Sequence, residues 1–253
     1  MLRMVSYDGP KATPLLIVHG LYGSARNMGV IAKRLSEDRP VHVVDQRNHG
    51  ESPWFDSHTY HDMASDLAQV VADIGGPVDV MGHSMGGKAA IVLALTRPEL
   101  LRRLIVADIA PVPYAHDQIQ YVEAMKALDL SNLDARSEAD RRLAAFVPEP
   151  GVRAFLLQSL DLKSEVPRWR LNLDVLARDM DHIVGFPADA ADVYHGPALF
   201  LSGANSHYVL PEHRPLIKSM FSNTYFAKLR DAGHWLHADK PREFEAAIRH
   251  FTA

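Results

Sequence analysis

Largely apolar runs punctuate the first half of the chain: Pro14 to His19, Val41 to Asp45, Val78 to Met81 and Leu104 to Asp108. Short runs without polar alternation are the pattern of strands covered on both faces, as in a parallel sheet flanked by helices. Between them lie segments of helical period. Met63, Leu67, Val70, Val71 and Ile74 fall on one face of a helix, and Asn27 to Leu35 and Ala89 to Leu95 also read as helical. Leu2 to Tyr7 is expected as an edge strand closed by the turn Asp8-Gly9-Pro10. From Pro111 to about Tyr194 the strand signals stop. Helical segments around His116 to Leu128, Ser137 to Val147, Val152 to Leu160 and Asn172 to Met180 are broken there by Pro148, Pro150-Gly151 and Pro167. Alternation resumes with a strand at Pro197 to Ser202, a helix at Glu212 to Met220 and a strand at Tyr225 to Leu229. Phe244, Ile248 and Phe251 mark a terminal helix. The pattern predicts an α/β protein with a doubly wound, mostly parallel sheet built from residues 1–110 and 195–253. Residues 111–194 are expected as an all-helical insertion that caps the side where the strands end.

Composition removes several classes of function. The 253 residues suffice for one large domain with an insertion. The 27 basic and 31 acidic residues give a formal charge of -4, and no basic cluster interrupts an aromatic face, which argues against nucleic acid as a partner. With no cysteine there is neither a disulfide framework, nor a thiolate nucleophile, nor a zinc–thiolate site. The first residues lack a basic region followed by an apolar run, and no stretch approaches the roughly 20 apolar residues of a spanning helix. A soluble cytoplasmic protein with no membrane span, monomeric or a small homo-oligomer, is the expectation.

The chemistry centres on Gly82-His83-Ser84-Met85-Gly86, set between an apolar strand and an apolar helix. Small residues two before and two after a serine let the chain reverse sharply and present the hydroxyl above the sheet edge. Ser84 is therefore the candidate nucleophile, and it needs a base and a group that orients the base. Of fourteen histidines, His234 is best placed, in Asp231-Ala232-Gly233-His234-Trp235 after the last strand. His237 is the rival, more suited to packing at the start of the final helical region. A metal on these two would lack a third ligand, so no metal or cofactor is expected. His83 and His49 are read as structural or pocket-lining.

The usual position for the acid is the loop after the strand Ala198 to Ser202. That loop, Gly203-Ala204-Asn205-Ser206-His207-Tyr208, has no carboxylate. Asp108 ends the strand after the nucleophile's helix, at the same sheet edge as Ser84, and is the first candidate; Asp174 in the insertion is the second. Ser206 is a candidate fourth member of the same network. Backbone N–H groups of Met85 and Leu21 are the expected donors to the oxyanion of an acyl transfer. Lys88, one turn after Ser84, is expected to pair with a carboxylate, and Trp169, Arg170 and Tyr121 to line the pocket.

Taken together, these residues resemble the α/β-hydrolase superfamily. The match is closer at Gly82-His83-Ser84-Met85-Gly86-Gly87-Lys88, Val106-Ala107-Asp108-Ile109-Ala110-Pro111-Val112, Trp169-Arg170-Leu171-Asn172, Gly203-Ala204-Asn205-Ser206 and Ala232-Gly233-His234-Trp235-Leu236-His237-Ala238-Asp239. That set looks like the YbfF-type esterases and their mitochondrial relatives in animals. The resemblance implies an α/β-hydrolase fold with a helical cap, an acid displaced to Asp108 and a serine, Ser206, where the acid would otherwise be. It further implies a cofactor-free serine carboxylesterase acting on short-chain acyl esters, extending to acyl thioesters such as acyl-CoA, as small-molecule substrates. Carbon–carbon bond hydrolases and cofactor-free haloperoxidases use the same scaffold with a serine, and assays of diketone cleavage or halogenation separate them. A non-catalytic small-molecule binder would hold an ester without releasing product.

Overall fold

The computed structural model describes residues 1–115, 118–187 and 192–253. The chain runs through β1 (Met4–Tyr7), β2 (Leu15–Val18), α1 (Ala25–Leu35), β3 (Val41–Val44), α2 (Tyr60–Ile74), β4 (Val78–His83), α3 (Met85–Thr96) and β5 (Leu101–Ala107). An inserted segment follows, with α4 (Ile119–Ala127), α5 (Arg136–Leu143), α6 (Pro150–Leu156), β6 (Leu160–Asp161), β7 (Arg168–Trp169), α7 (Leu173–Arg178) and α8 (Met180–Val184). The chain closes with β8 (Tyr194–Gly203), α9 (Arg214–Met220), β9 (Phe221–Leu229), α10 (Leu236–Asp239) and α11 (Pro241–Thr252).

Seven strands form one sheet in the order β1-β3-β2-β4-β5-β8-β9. Only β1 pairs antiparallel, against β3; every other pairing in this sheet is parallel. Because successive side chains point to opposite faces, each buried strand feeds two cores. Leu16 and Val18 of β2, Val80 of β4 and Leu104 and Val106 of β5 pack under α2, α3 and the insertion. Leu15 and Ile17, Met81, and Ile105 and Ala107 pack under α1 and α11. This two-sided burial is why the central strands are largely apolar, and the exception in β4, Asp79, is buried only in ion pairs with Arg39 and Arg102. The terminal helix shows the complementary case: Phe244 and Ile248 form its buried stripe, with Phe251 partly covered beside them.

Several boundaries differ from the sequence reading. The inserted segment is not all-helical, because β6 and β7 pair antiparallel through Leu160↔Trp169 and Asp161↔Arg168. Strands of two residues give no periodic signal to detect. The helix expected from His116 begins at Ile119, and His116 itself lies outside the described residues. The strand expected from Tyr225 begins at Phe221; as an edge strand it leaves Ser222 exposed and Asn223 and Thr224 half-buried, so no apolar run announces it. Among the described residues no helix is long and apolar enough to cross a membrane.

Candidate active site

The turn between β4 and α3 carries Ser84 at φ 53° and ψ -123°, a conformation sparsely populated by residues with a side chain. The turn closes only because its flanking positions lack a Cβ: one on Gly82 would stand 2.3 Å from the carbonyl oxygen of Gly86, and one on Gly86 would stand 2.4 Å from that of His19. The strain is held by hydrogen bonds on both sides. Ser84 N–H donates to the Ala107 carbonyl at 3.0 Å, and the Ser84 carbonyl accepts from Gly87 and Lys88 at 2.8 and 3.1 Å. Ser84 thus stands at the N-terminus of α3, where the first N–H groups have no partner within the helix.

His234 meets Ser84 from the loop after β9, its Nε2 3.0 Å from Ser84 Oγ. Its Nδ1 is 2.8 Å from Asp108 Oδ2, so Nδ1 donates to the carboxylate and Nε2 faces the hydroxyl as the acceptor. Asp108 follows β5 directly, at φ 52°, with no solvent exposure. Its other acceptor sites are occupied as well: Gly203 N–H donates to Oδ1 at 3.0 Å and Ser206 hydroxyl to Oδ2 at 2.5 Å. Asp174 stays apart from this group, paired with Lys126 on the surface, its side chain 84% exposed.

Second contacts fix the imidazole. Tyr208 stacks on the His234 ring, centroids 3.9 Å apart and planes 20° apart, while the Tyr114 hydroxyl donates to the Tyr208 carbonyl at 2.6 Å. Burial pushes the Tyr208 phenol up to about 12 and Tyr114 further, so both stay neutral beside the carboxylate. His83 Nε2–H donates to the His234 carbonyl at 2.8 Å, and the Asp239 carboxylate accepts from Gly233 N–H at 2.8 Å. His237 packs against His83, centroids 5.1 Å apart.

The turn after β2 brings Leu21 to the opposite side. Its shape is set by two buried histidines. His19 Nδ1–H donates to the Gly20 carbonyl at 2.8 Å while its Nε2 accepts from Gln46 N–H at 3.0 Å. His49 Nδ1–H donates to the Arg47 carbonyl at 2.9 Å while its Nε2 accepts from Tyr22 N–H at 3.2 Å. Each ring must donate and accept at once, which only the neutral form does. Burial supplies that form, pulling His19 down to about 4 and His49 to about 3. A third, His58, accepts a hydrogen bond from Asn48 Nδ2 on one nitrogen and points the other at Met85 Sδ, 3.4 Å away. Ser84, His234, Leu21 and Met85 share one cavity of about 380 Å³.

A model of the alpha/beta hydrolase fold matches residues 13–241, and the chain is 37% identical over 243 residues to the esterase YbfF of Escherichia coli K12, spanning 94% of this chain and 92% of that protein. The chain belongs to the α/β-hydrolases, as a YbfF-type esterase. It is also 41% identical over 257 residues to the sn-1-specific diacylglycerol lipase ABHD11 of Mus musculus, covering 97% of this chain and 83% of the relative. Among solved structures, a marine microorganism esterase superposes with a TM-score of 0.94 at 35% identity, covering 99% of this chain and 98% of that one. These relatives make the α/β-hydrolase a serine hydrolase acting on ester bonds.

Three expectations for the hydrolase's site change. Among the described residues Lys88 has no carboxylate partner; its ammonium donates to the carbonyls of Val184 at 3.0 Å and Gly185 at 2.5 Å and lies over the ring of Tyr114 at 4.7 Å. A carboxylate brought this deep would itself need desolvating, and the end of α8 supplies free carbonyls instead. Trp169 and Arg170 do not wall the cavity, whereas Tyr121 does. Trp169 Nε1 donates to the Met125 carbonyl at 2.9 Å inside the insertion, and Arg170 bridges Glu51 and Asp161 at 2.8 and 2.9 Å. Tyr208, Tyr114 and His58 were not foreseen. Tyr208 lay in the acid-free loop and was detectable only as an aromatic two residues from Ser206.

Proposed function

We propose that the chain is a serine carboxylesterase that hydrolyses short-chain acyl esters through a covalent acyl-enzyme on Ser84. The observation that carries this reading is the continuous relay from Ser84 Oγ to His234 Nε2 at 3.0 Å and from His234 Nδ1 to Asp108 Oδ2 at 2.8 Å. Ser84 Oγ attacks the ester carbonyl carbon as Nε2 takes its proton; the carbonyl electron pair moves onto oxygen, where Leu21 and Met85 N–H groups receive it. Each such donor is worth about 3 kcal/mol in the transition state. Collapse breaks the carbon–oxygen bond to the alcohol, which leaves with the proton from His234. Water, deprotonated by His234, then cleaves the acyl-enzyme and restores the serine. Asp108 holds Nδ1–H throughout, and Ser206 holds Asp108.

The same sequence of steps serves acyl thioesters such as acyl-CoA, since the attacked carbonyl is common to both. Residues 111–194 act as the cap, set on a core of residues 1–110 and 195–253. Tyr121, Phe155, Ile183 and Val184 from that segment wall the cavity and keep it mainly apolar, which suits an acyl chain. The test is direct. A fluorophosphonate probe should label Ser84, and Ser84→Ala should abolish hydrolysis of p-nitrophenyl acetate while leaving the thermal melt intact. Unchanged turnover in that variant rules the reading out.

A further inference from the structure

A second hollow, of about 410 Å³, runs along the surface between α1, α6 and α10. Val30, Ile31, Ala154 and Ala238 are among its walls, and it shares Asn27, Phe155, Trp235 and His237 with the Ser84 cavity, so the two meet at those side chains. Val30, on the exposed side of α1, is 64% exposed there. Two polar groups of the trough are already engaged, whereas His237 Nδ1 is buried with no hydrogen-bond partner among the described residues. Asn27 Nδ2 donates to Gln158 Oε1 at 2.6 Å, and Arg34 pairs with Glu245 at 2.7 Å.

The position of this trough relative to the reaction follows from the chemistry of the adduct on Ser84. Its oxyanion faces the Leu21 and Met85 amides. The leaving oxygen must face His234 Nε2, which is its only proton source in the relay. The acyl chain takes the direction that remains. Trp235, His237 and Ala238 continue the chain directly from His234, which sets this end of the trough beside the residue that would protonate the leaving group. We propose that it binds an alkyl arm carried by the alcohol half of the ester, which makes the preferred substrates oxygen esters of lipophilic alcohols. The proposal rests on Ser84 as nucleophile. A coenzyme A leaving group fits less well, because its phosphates would meet a single arginine, Arg34, already paired with a carboxylate.

The experiment uses the full chain and acetate esters of methanol through octanol, with acetate release as the readout. Burying each added methylene should raise kcat/KM about three- to fourfold until the trough is filled. Val30→Glu should lower the octyl-to-methyl ratio of kcat/KM at least tenfold. Val166→Glu, at a 71% exposed valine in the loop between β6 and β7, is the control and should preserve that ratio. A flat response to alcohol length overturns the proposal. So does a Val30→Glu penalty that falls on long acyl chains, tested with methyl octanoate, or a higher kcat/KM for acetyl-CoA than for octyl acetate. Loss of methyl acetate hydrolysis in Ser84→Ala, combined with a flat alcohol series, would remove the trough and leave the esterase reading standing. Retention of activity in Ser84→Ala would remove both.

Discussion

At the scale of single residues, Asp108 shows how a position unusual for this fold is made workable. A fully buried carboxylate is costly unless its acceptor sites are filled, and here Gly203, Ser206 and His234 fill them. Asp108→Asn should therefore lower kcat about 10³- to 10⁴-fold, since an amide at that place stabilises the wrong imidazole tautomer. Ser206→Ala removes one hydrogen bond to a charged group, worth about 1.5–3 kcal/mol, and should cost about ten- to a hundredfold. Asp174→Asn should stay within about twofold, its carboxylate being exposed and paired with Lys126. Steady-state kinetics on the three variants check the order; an equal loss in Asp174→Asn would displace Asp108. That Ser84 and His234 meet was readable in the sequence because an elbow is a local backbone event and chain order suggests the histidine's strand end. Asp108 was readable as a strand terminus, but Tyr208 was not, because stacking on His234 is a contact across 26 residues that no periodicity records.

At the scale of elements, α3 does more than present Ser84. Its first turn carries Lys88, which crosses to the carbonyls of Val184 and Gly185 at the end of α8 and so ties the helix that follows Ser84 to the insertion. Burial pulls this lysine down to about 7. A neutral amine still offers two N–H groups for the two carbonyls, so the link survives deprotonation while the desolvation cost disappears. The sign of the pH effect follows. Between about 7 and the ordinary lysine value of 10.5 the unfolded chain holds a proton that the folded chain has released, so stability rises with pH across that window and is flat below it. Tyr60 and Tyr114, the aromatic neighbours of Lys88, are pushed up by burial and oppose this only where free tyrosine ionises, near 10. Denaturant unfolding from pH 7 to 9.5 should show wild type gaining on Lys88→Met by up to about 1.4 kcal/mol per pH unit. Parallel curves would mean that the ammonium is not desolvated. The sequence placed Lys88 one turn from Ser84 correctly and its partner wrongly, because a helix end offers carbonyls that residue types do not advertise.

At the scale of the whole molecule, the layered sheet was legible because both of its faces are buried, which makes the central strands largely apolar runs. The insertion was legible only as an absence of such runs; its two-residue strands and short helices carry too little pattern. Its seating on the sheet side is distributed over several contacts. Tyr22 hydroxyl donates to the Gln118 carbonyl, Ser159 hydroxyl to the Tyr22 carbonyl, and Tyr60 hydroxyl to the Ile183 carbonyl. His58 N–H donates to Asp179, and Gly50 N–H to the Arg170 carbonyl. These links start from loops and helices that themselves shape the site, and the apolar cluster on that face of the sheet runs without a break from Val80 and Val106 into Leu143, Leu156 and Leu176. Insertion and sheet should therefore unfold as one cooperative unit, although a chain of this length is often divided. The three tryptophans make this measurable: Trp169 is buried within the insertion and Trp235 lies beside the site. In urea, fluorescence of single-tryptophan variants retaining one or the other should change at the same midpoint as the far-ultraviolet circular dichroism. An earlier midpoint for Trp169 alone would show the insertion melting off a folded sheet, and would make its contacts a lid rather than part of the core.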